Sequence, residues 1–88
     1  MNINFELKDT AAMMESCDYK ERFKAEYYQT KIRYEKLHRM IVKYDAGTLC
    51  FEPTSPIERL KSQAKHMGEY LYDLEVRAQL EHISLGTD

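Results

Sequence analysis

Two stretches of this chain space their apolar residues in alternating steps of four and three, and a loop of turn-forming residues separates them. Phe23, Tyr27, Thr30, Tyr34, Leu37, Ile41 and Tyr44 form the first series; Ile57, Leu60, Ala64, Met67, Leu71, Leu74 and Ala78 form the second. Such a repeat keeps one seam of a helix turned toward a partner helix, as in antiparallel hairpins and coiled coils. The connection Gly47-Thr48-Leu49-Cys50-Phe51-Glu52-Pro53-Thr54-Ser55 is short enough to bring the two seams together. The expected fold is all-α: a long antiparallel helical hairpin of two helices over residues 18–83. An N-terminal arm or short extra helix occupies residues 1–17, and a C-terminal tail residues 84–88.

Local signals place the helix ends. Asp18 precedes Glu21 at capping-box spacing, so the first helix is expected to start there and run to about Tyr44. An unbroken rod of that length spans about 39 Å. Gly47 suits the left-handed turn that stops it. Ser55-Pro56-Ile57-Glu58 predicts a Ser cap followed by Pro in the first helical position, and the second helix should run to about Ile83. Leu49 and Phe51 are expected to fold back over the tip. In the N-terminal segment, Asn2-Ile3-Asn4-Phe5-Glu6-Leu7 alternates polar and apolar as a short strand would, while Asp9-Thr10 could open a helix at Ala11.

The seams do not use all the apolar surface. Tyr28, Ile32, Met40 and Val42 lie off the first seam, and Tyr70, Tyr72, Val76, Leu80 and Ile83 off the second. With 88 residues and one domain, a two-helix layer buries little by itself. Assembly into a homo-oligomeric helical bundle is the expected remedy. The alternative is a monomer whose N-terminal arm covers the second stripe.

Composition narrows function by exclusion. No run approaches the roughly 18 apolar residues of a membrane span, and the first residues lack a secretory pattern. Cys17 and Cys50 stand apart, as in a reducing compartment. Phosphate-loop and nucleophile-elbow motifs are missing. His38, His66 and His82 are too scattered for a metal set, so no metal, no cofactor and no enzymatic activity are expected.

The net charge of −2 gives little attraction to nucleic acid, but it is unevenly spread: residues 36–65 carry +3 and residues 66–88 carry −4. Lys36, Arg39 and Lys43 share a helix face, and Tyr44, Thr48, Lys65 and Tyr70 lie within reach of the hairpin's basic half. Arg and Lys clamp phosphates and Tyr stacks on bases, so these seven residues are the candidate ligand site. The plainer reading is that Tyr44 ends the core seam and the cations are solvated.

The segments Tyr19–Tyr27 and Arg33–Tyr44, with Gly47-Thr48-Leu49, Phe51-Glu52-Pro53-Thr54, Gln63–Leu71 and Leu74–Ala78, resemble a family of short phage and prophage proteins related to a small protein of crAss-like phages. The resemblance covers roughly residues 18–83. The hairpin is also similar to that of viral anti-CBASS and anti-Thoeris sponge proteins. Those resemblances imply a homo-oligomeric, non-catalytic anti-defence protein in the cytoplasm of an infected bacterial host. It would sequester a cyclic di- or trinucleotide or cyclic ADP-ribose signal at a subunit junction. Two alternatives stand beside it. One is an inhibitor that binds a host defence protein directly, such as an anti-CRISPR, with the acidic end imitating nucleic-acid phosphates. The other is a phage assembly module with no ligand.

Overall fold

The computed structural model describes residues 6–86. It contains α1 (Leu7–Met14), α2 (Tyr19–Ala46) and α3 (Ile57–Leu80), and no strand among the described residues. The contacts of Tyr19 with Glu81, Tyr27 with Glu75 and Asp45 with Lys61 fix α2 and α3 as an antiparallel pair. Helix α1 packs against α2. The strand expected over Asn2–Leu7 ends differently: residues 2–5 lie outside the described residues, and Leu7 opens α1. That helix starts earlier than Asp9-Thr10 suggests. The Asp9 carboxylate accepts from the Glu6 N–H at 2.8 Å, which makes Asp9 the third helical residue of a capping box.

Asp18 caps α2, its side chain accepting from the Lys20 N–H at 2.9 Å. Gly47 ends the helix with φ 77°, a conformation that costs a residue with a Cβ. The start of α3 departs from expectation. Pro56, not Ser55, occupies the cap position; its carbonyl accepts the first helical bonds, from Arg59 and Leu60 N–H. The backbone is still extended at Pro56 (ψ 140°), so Ser55 sits one residue too early to cap.

Helix α3 stops at Leu80, three residues before Ile83. There Ile83 N–H donates to the Ala78 carbonyl at 2.8 Å and His82 N–H to the Gln79 carbonyl at 3.4 Å. This pair of bonds is a Schellman motif, with His82 in the left-handed position (φ 57°) that glycine usually fills. The turn drives Ile83 back onto the core and brings Leu85 with it.

That core is concentrated at the open end of the hairpin. Phe23, Tyr27, Tyr28, Leu71, Leu74, Ala78, Ile83 and Leu85 form one buried cluster, with Met13 of the α1 segment and Tyr34 packed against it. Leu85, read from sequence as tail, is 3% exposed, and its carbonyl accepts the Tyr28 hydroxyl at 2.7 Å. Tyr27 donates to Glu75 Oε2 at 2.8 Å. Burial first, and then the bond to Glu75, push the Tyr27 phenol well above its ordinary range. Toward the loop the seam thins: Leu37, Ile57 and Leu60 are only half-buried. Leu49 is half-buried as well, but Phe51 is 55% exposed and does not close the tip. No described helix is long and apolar enough to cross a membrane.

Candidate functional site

Two neighbouring grooves run along the molecule, and one carboxylate, Glu35, lines both. The first lies between α1 and α2. Lys36 and Arg39 project from α2 at a spacing of three, which puts them on one helix face. Lys8 faces them from α1, paired with Glu6 at 3.8 Å on the surface. Leu7 and Ile32 supply the apolar part of a cavity of about 500 Å³. Its lining holds three cations, Lys8, Lys36 and Arg39, against two carboxylates, Glu6 and Glu35, so it favours an anion.

The second groove lies between α2 and α3 and is centred on Tyr34. The Tyr34 ring stacks on His38, with centroids 5.8 Å apart and planes 16° apart. It lies against α3 at Gly68, with Tyr72 beside it. The outer part, about 520 Å³, has Lys65 against Glu69 and Asp73; the inner part, about 250 Å³, has Lys31 against Glu35 and Glu75. Carboxylates outnumber cations in both parts. This groove is aromatic and mildly acidic, the reverse of a phosphate site.

The seven residues singled out from sequence therefore separate. Lys36 and Arg39 come together in the cationic groove. Lys65 lines the Tyr34 groove instead. Tyr44 lies at the hairpin tip beside Glu52 and Glu58, outside the cationic groove. Thr48 is engaged in ending α2: its N–H and hydroxyl both donate to the Lys43 carbonyl, at 2.9 and 3.4 Å. Lys43 is exposed in the last turn of α2, where its charge favours the helix dipole. Tyr70 is 39% exposed and lines neither groove.

The other lining residues, Tyr34, Tyr72 and Glu35 among them, were not singled out from sequence for the site, and two of them, Lys8 and Gly68, are instructive. Lys8 belongs to a segment whose helix could not be placed from periodicity. Gly68 left a signal, since glycine inside a helix costs about 1 kcal/mol relative to alanine and so marks a close approach. Among the described residues no three His, Cys, Asp or Glu side chains are grouped to hold a metal ion.

Comparison with known proteins returned one family: the Sequestin model matches residues 17–80, which span α2, the loop and α3. No curated protein and no solved structure matches the chain.

Proposed function

As the chain belongs to the Sequestin family, we propose that it is a non-catalytic sponge. It sequesters a cyclic nucleotide or cyclic ADP-ribose immune signal, as a phage-encoded anti-defence protein in the cytoplasm of an infected bacterial host. The family's name denotes sequestration, and the observation that supports a phosphate-bearing cargo is the excess of cations in the α1/α2 groove. Lys36, Arg39 and Lys8 would clamp the phosphates, Leu7 and Ile32 would meet the base, and Glu6 or Glu35 would accept from base amines or ribose hydroxyls.

The energetics set a demand on this site. Nanomolar capture needs about 12 kcal/mol. Hydrogen bonds to charged groups contribute about 1.5–3 kcal/mol each, so three cations reach roughly 5–9 kcal/mol. The balance requires stacking or apolar enclosure, worth about 1–3 kcal/mol per base. Neither Tyr44 nor Tyr70 can supply it from this groove.

Native mass spectrometry with a panel of cyclic di- and trinucleotides and cyclic ADP-ribose isomers tests the reading. One of them should be retained at fixed stoichiometry and released with its mass unchanged. Arg39→Glu should abolish retention while leaving the helical circular dichroism intact. Retention of none of the panel would sink the sponge reading. Undiminished retention by Arg39→Glu would move the site elsewhere, and a ligand released in altered form would make the protein an enzyme.

A further inference from the structure

The cationic groove has two walls on separate elements, and they are seated differently. Helix α2 is gripped by α3 and carries the core residues Phe23, Tyr27 and Tyr28. Helix α1 makes its helix-to-helix contact with α2 alone. It precedes the residues that match the family, so its role is not carried by that likeness. Leu7, Thr10 and Met13, at steps of three, are its covered residues. Thr10 is fully buried and Met13 packs against the core cluster, so the C-terminal half of α1 is closed down on the molecule. One turn earlier, at Leu7, the interface opens into the cavity of about 500 Å³. Helix α1 thus leaves α2 as a wedge, anchored at one end and parted at the other.

Charge works against closing that wedge. Lys8 on one wall faces Lys36 and Arg39 on the other. Among the described residues no ion pair crosses the groove, and Lys36 and Arg39 have no hydrogen-bond or ion-pair partner. The two lining carboxylates leave an excess of positive charge: Glu6 sits beside Lys8 on the same wall, and Glu35 is shared with the Tyr34 groove. Lys8 also breaks a local rule. It is the second residue of α1, where the positive end of the helix dipole disfavours a cation. Such departures are expected at functional positions.

We propose that α1 is a clamp closed by an anion, with Lys8 as its contact. An anion charged enough to reach both walls replaces the repulsion of Lys8 by Lys36 and Arg39 with attraction to all three. Lys8 therefore acts with opposite sign in two states: it loosens α1 in the free chain and tightens it in the bound one. The coupling is reciprocal. The factor by which a closed α1 tightens the anion is the factor by which the anion slows the opening of α1. All three cations are exposed, so that factor is about fivefold.

The inference rests on the proposed anion site but not on the identity of the sequestered signal, so inorganic pyrophosphate serves as the probe, with potassium chloride of equal ionic strength as the control. Calorimetry should detect its binding to the full chain. At saturation it should slow amide hydrogen exchange over Ala11–Met14 about fivefold and leave Lys61–Lys65 of α3 unchanged. Lys8→Gln should weaken pyrophosphate binding about fivefold and abolish the slowing. In the ligand-free chain Arg39→Gln should slow exchange in α1 about twofold, an effect across the groove that the helix propensity of α1 cannot produce. Pyrophosphate that binds without slowing α1, or that slows α3 equally, would overturn the clamp. So would an Arg39→Gln chain whose free α1 exchanges as fast as before. Failure to bind millimolar pyrophosphate would remove the anion site and the clamp together. A cyclic nucleotide retained by a chain whose α1 does not respond would remove the clamp alone and leave the sponge reading standing.

Discussion

The two ends of the hairpin are built from the same four-three repeat, yet they are held by different means. At the open end three layers of chain converge: the start of α2, the end of α3 and the turn carrying Ile83 and Leu85. Phe23, Tyr27, Leu74 and Ala78 are each no more than 2% exposed there. Around them lies a polar clasp in which Arg77 donates to Tyr19 and Glu81 and covers the Phe23 ring at 4.9 Å. At the loop end, among the described residues, α2 and α3 face each other without a third layer. Ile41 is buried, but Ile57 and Leu60 stay half-buried, and an exposed ion pair, Lys61 with Asp45 at 2.9 Å, joins α3 to α2. A repeat determines which residues point inward; it does not determine how much material will cover them. Stability in this molecule should therefore be lopsided, with opening from the loop end easier than opening from the core.

The sharpest way to break that comparison is a matched pair of truncations. Leu74→Ala should cost about 2–5 kcal/mol, since it empties a fully enclosed site. Leu60→Ala, at a half-buried site on the same seam, should cost less than half as much in the same urea titration. Equal costs would mean that the loop end is as well packed as the open end.

Alkali should act through the packed end next. The phenol of Tyr27 is held protonated above its ordinary range by burial and by Glu75. Because its folded-state pKa is raised, the stability it contributes is fully present below about pH 10, where the unfolded phenol is also neutral. As pH rises beyond that, the unfolded chain sheds the proton and the folded one keeps it, so stability falls. Tyr27→Phe should be less stable at neutral pH, through loss of the bond to Glu75, but should show a shallower decline between pH 10 and 11. An unchanged decline would assign the alkaline loss to other tyrosines.

The smallest effect belongs to the tip. Asp45→Asn should change stability by no more than about 0.5 kcal/mol, because both partners of the ion pair are about half exposed. A larger loss in thermal unfolding would show that the loop end is clamped more firmly than its packing implies.

Much of the architecture was legible because it follows from local rules. Asp18 as a cap and Gly47 as a stop need only their own backbone geometry, and six of the fourteen seam residues (Phe23, Tyr27, Ile41, Leu71, Leu74 and Ala78) are buried, while Tyr44 is exposed and the rest are half-buried. The misplacements have local causes too. Pro56 shifted the cap by one residue, and Ile83, assigned to α3, lies in a turn whose left-handed residue is His82 rather than a glycine. A histidine in that position gives no signal that can be read from sequence. The candidate site was less legible. Lys36 and Arg39 were found from their shared helix face, but their partner Lys8 comes from a helix on another part of the chain, and Lys65 faces a different groove. Charge run and aromatic content could group residues along one helix, not across helices whose packing was unknown.

Helical class, hairpin connectivity and the inward seams were determined by the sequence itself, because periodicity, caps and turn residues act over a few positions. The tertiary structure decided what lies against what. It folded Leu85 onto Tyr28, laid α1 beside Lys36 and Arg39, and left the Tyr72–Val76–Leu80 row uncovered. Those outcomes depend on the relative rotation of packed helices, and a step of 100° per residue turns a small change in that rotation into a different groove.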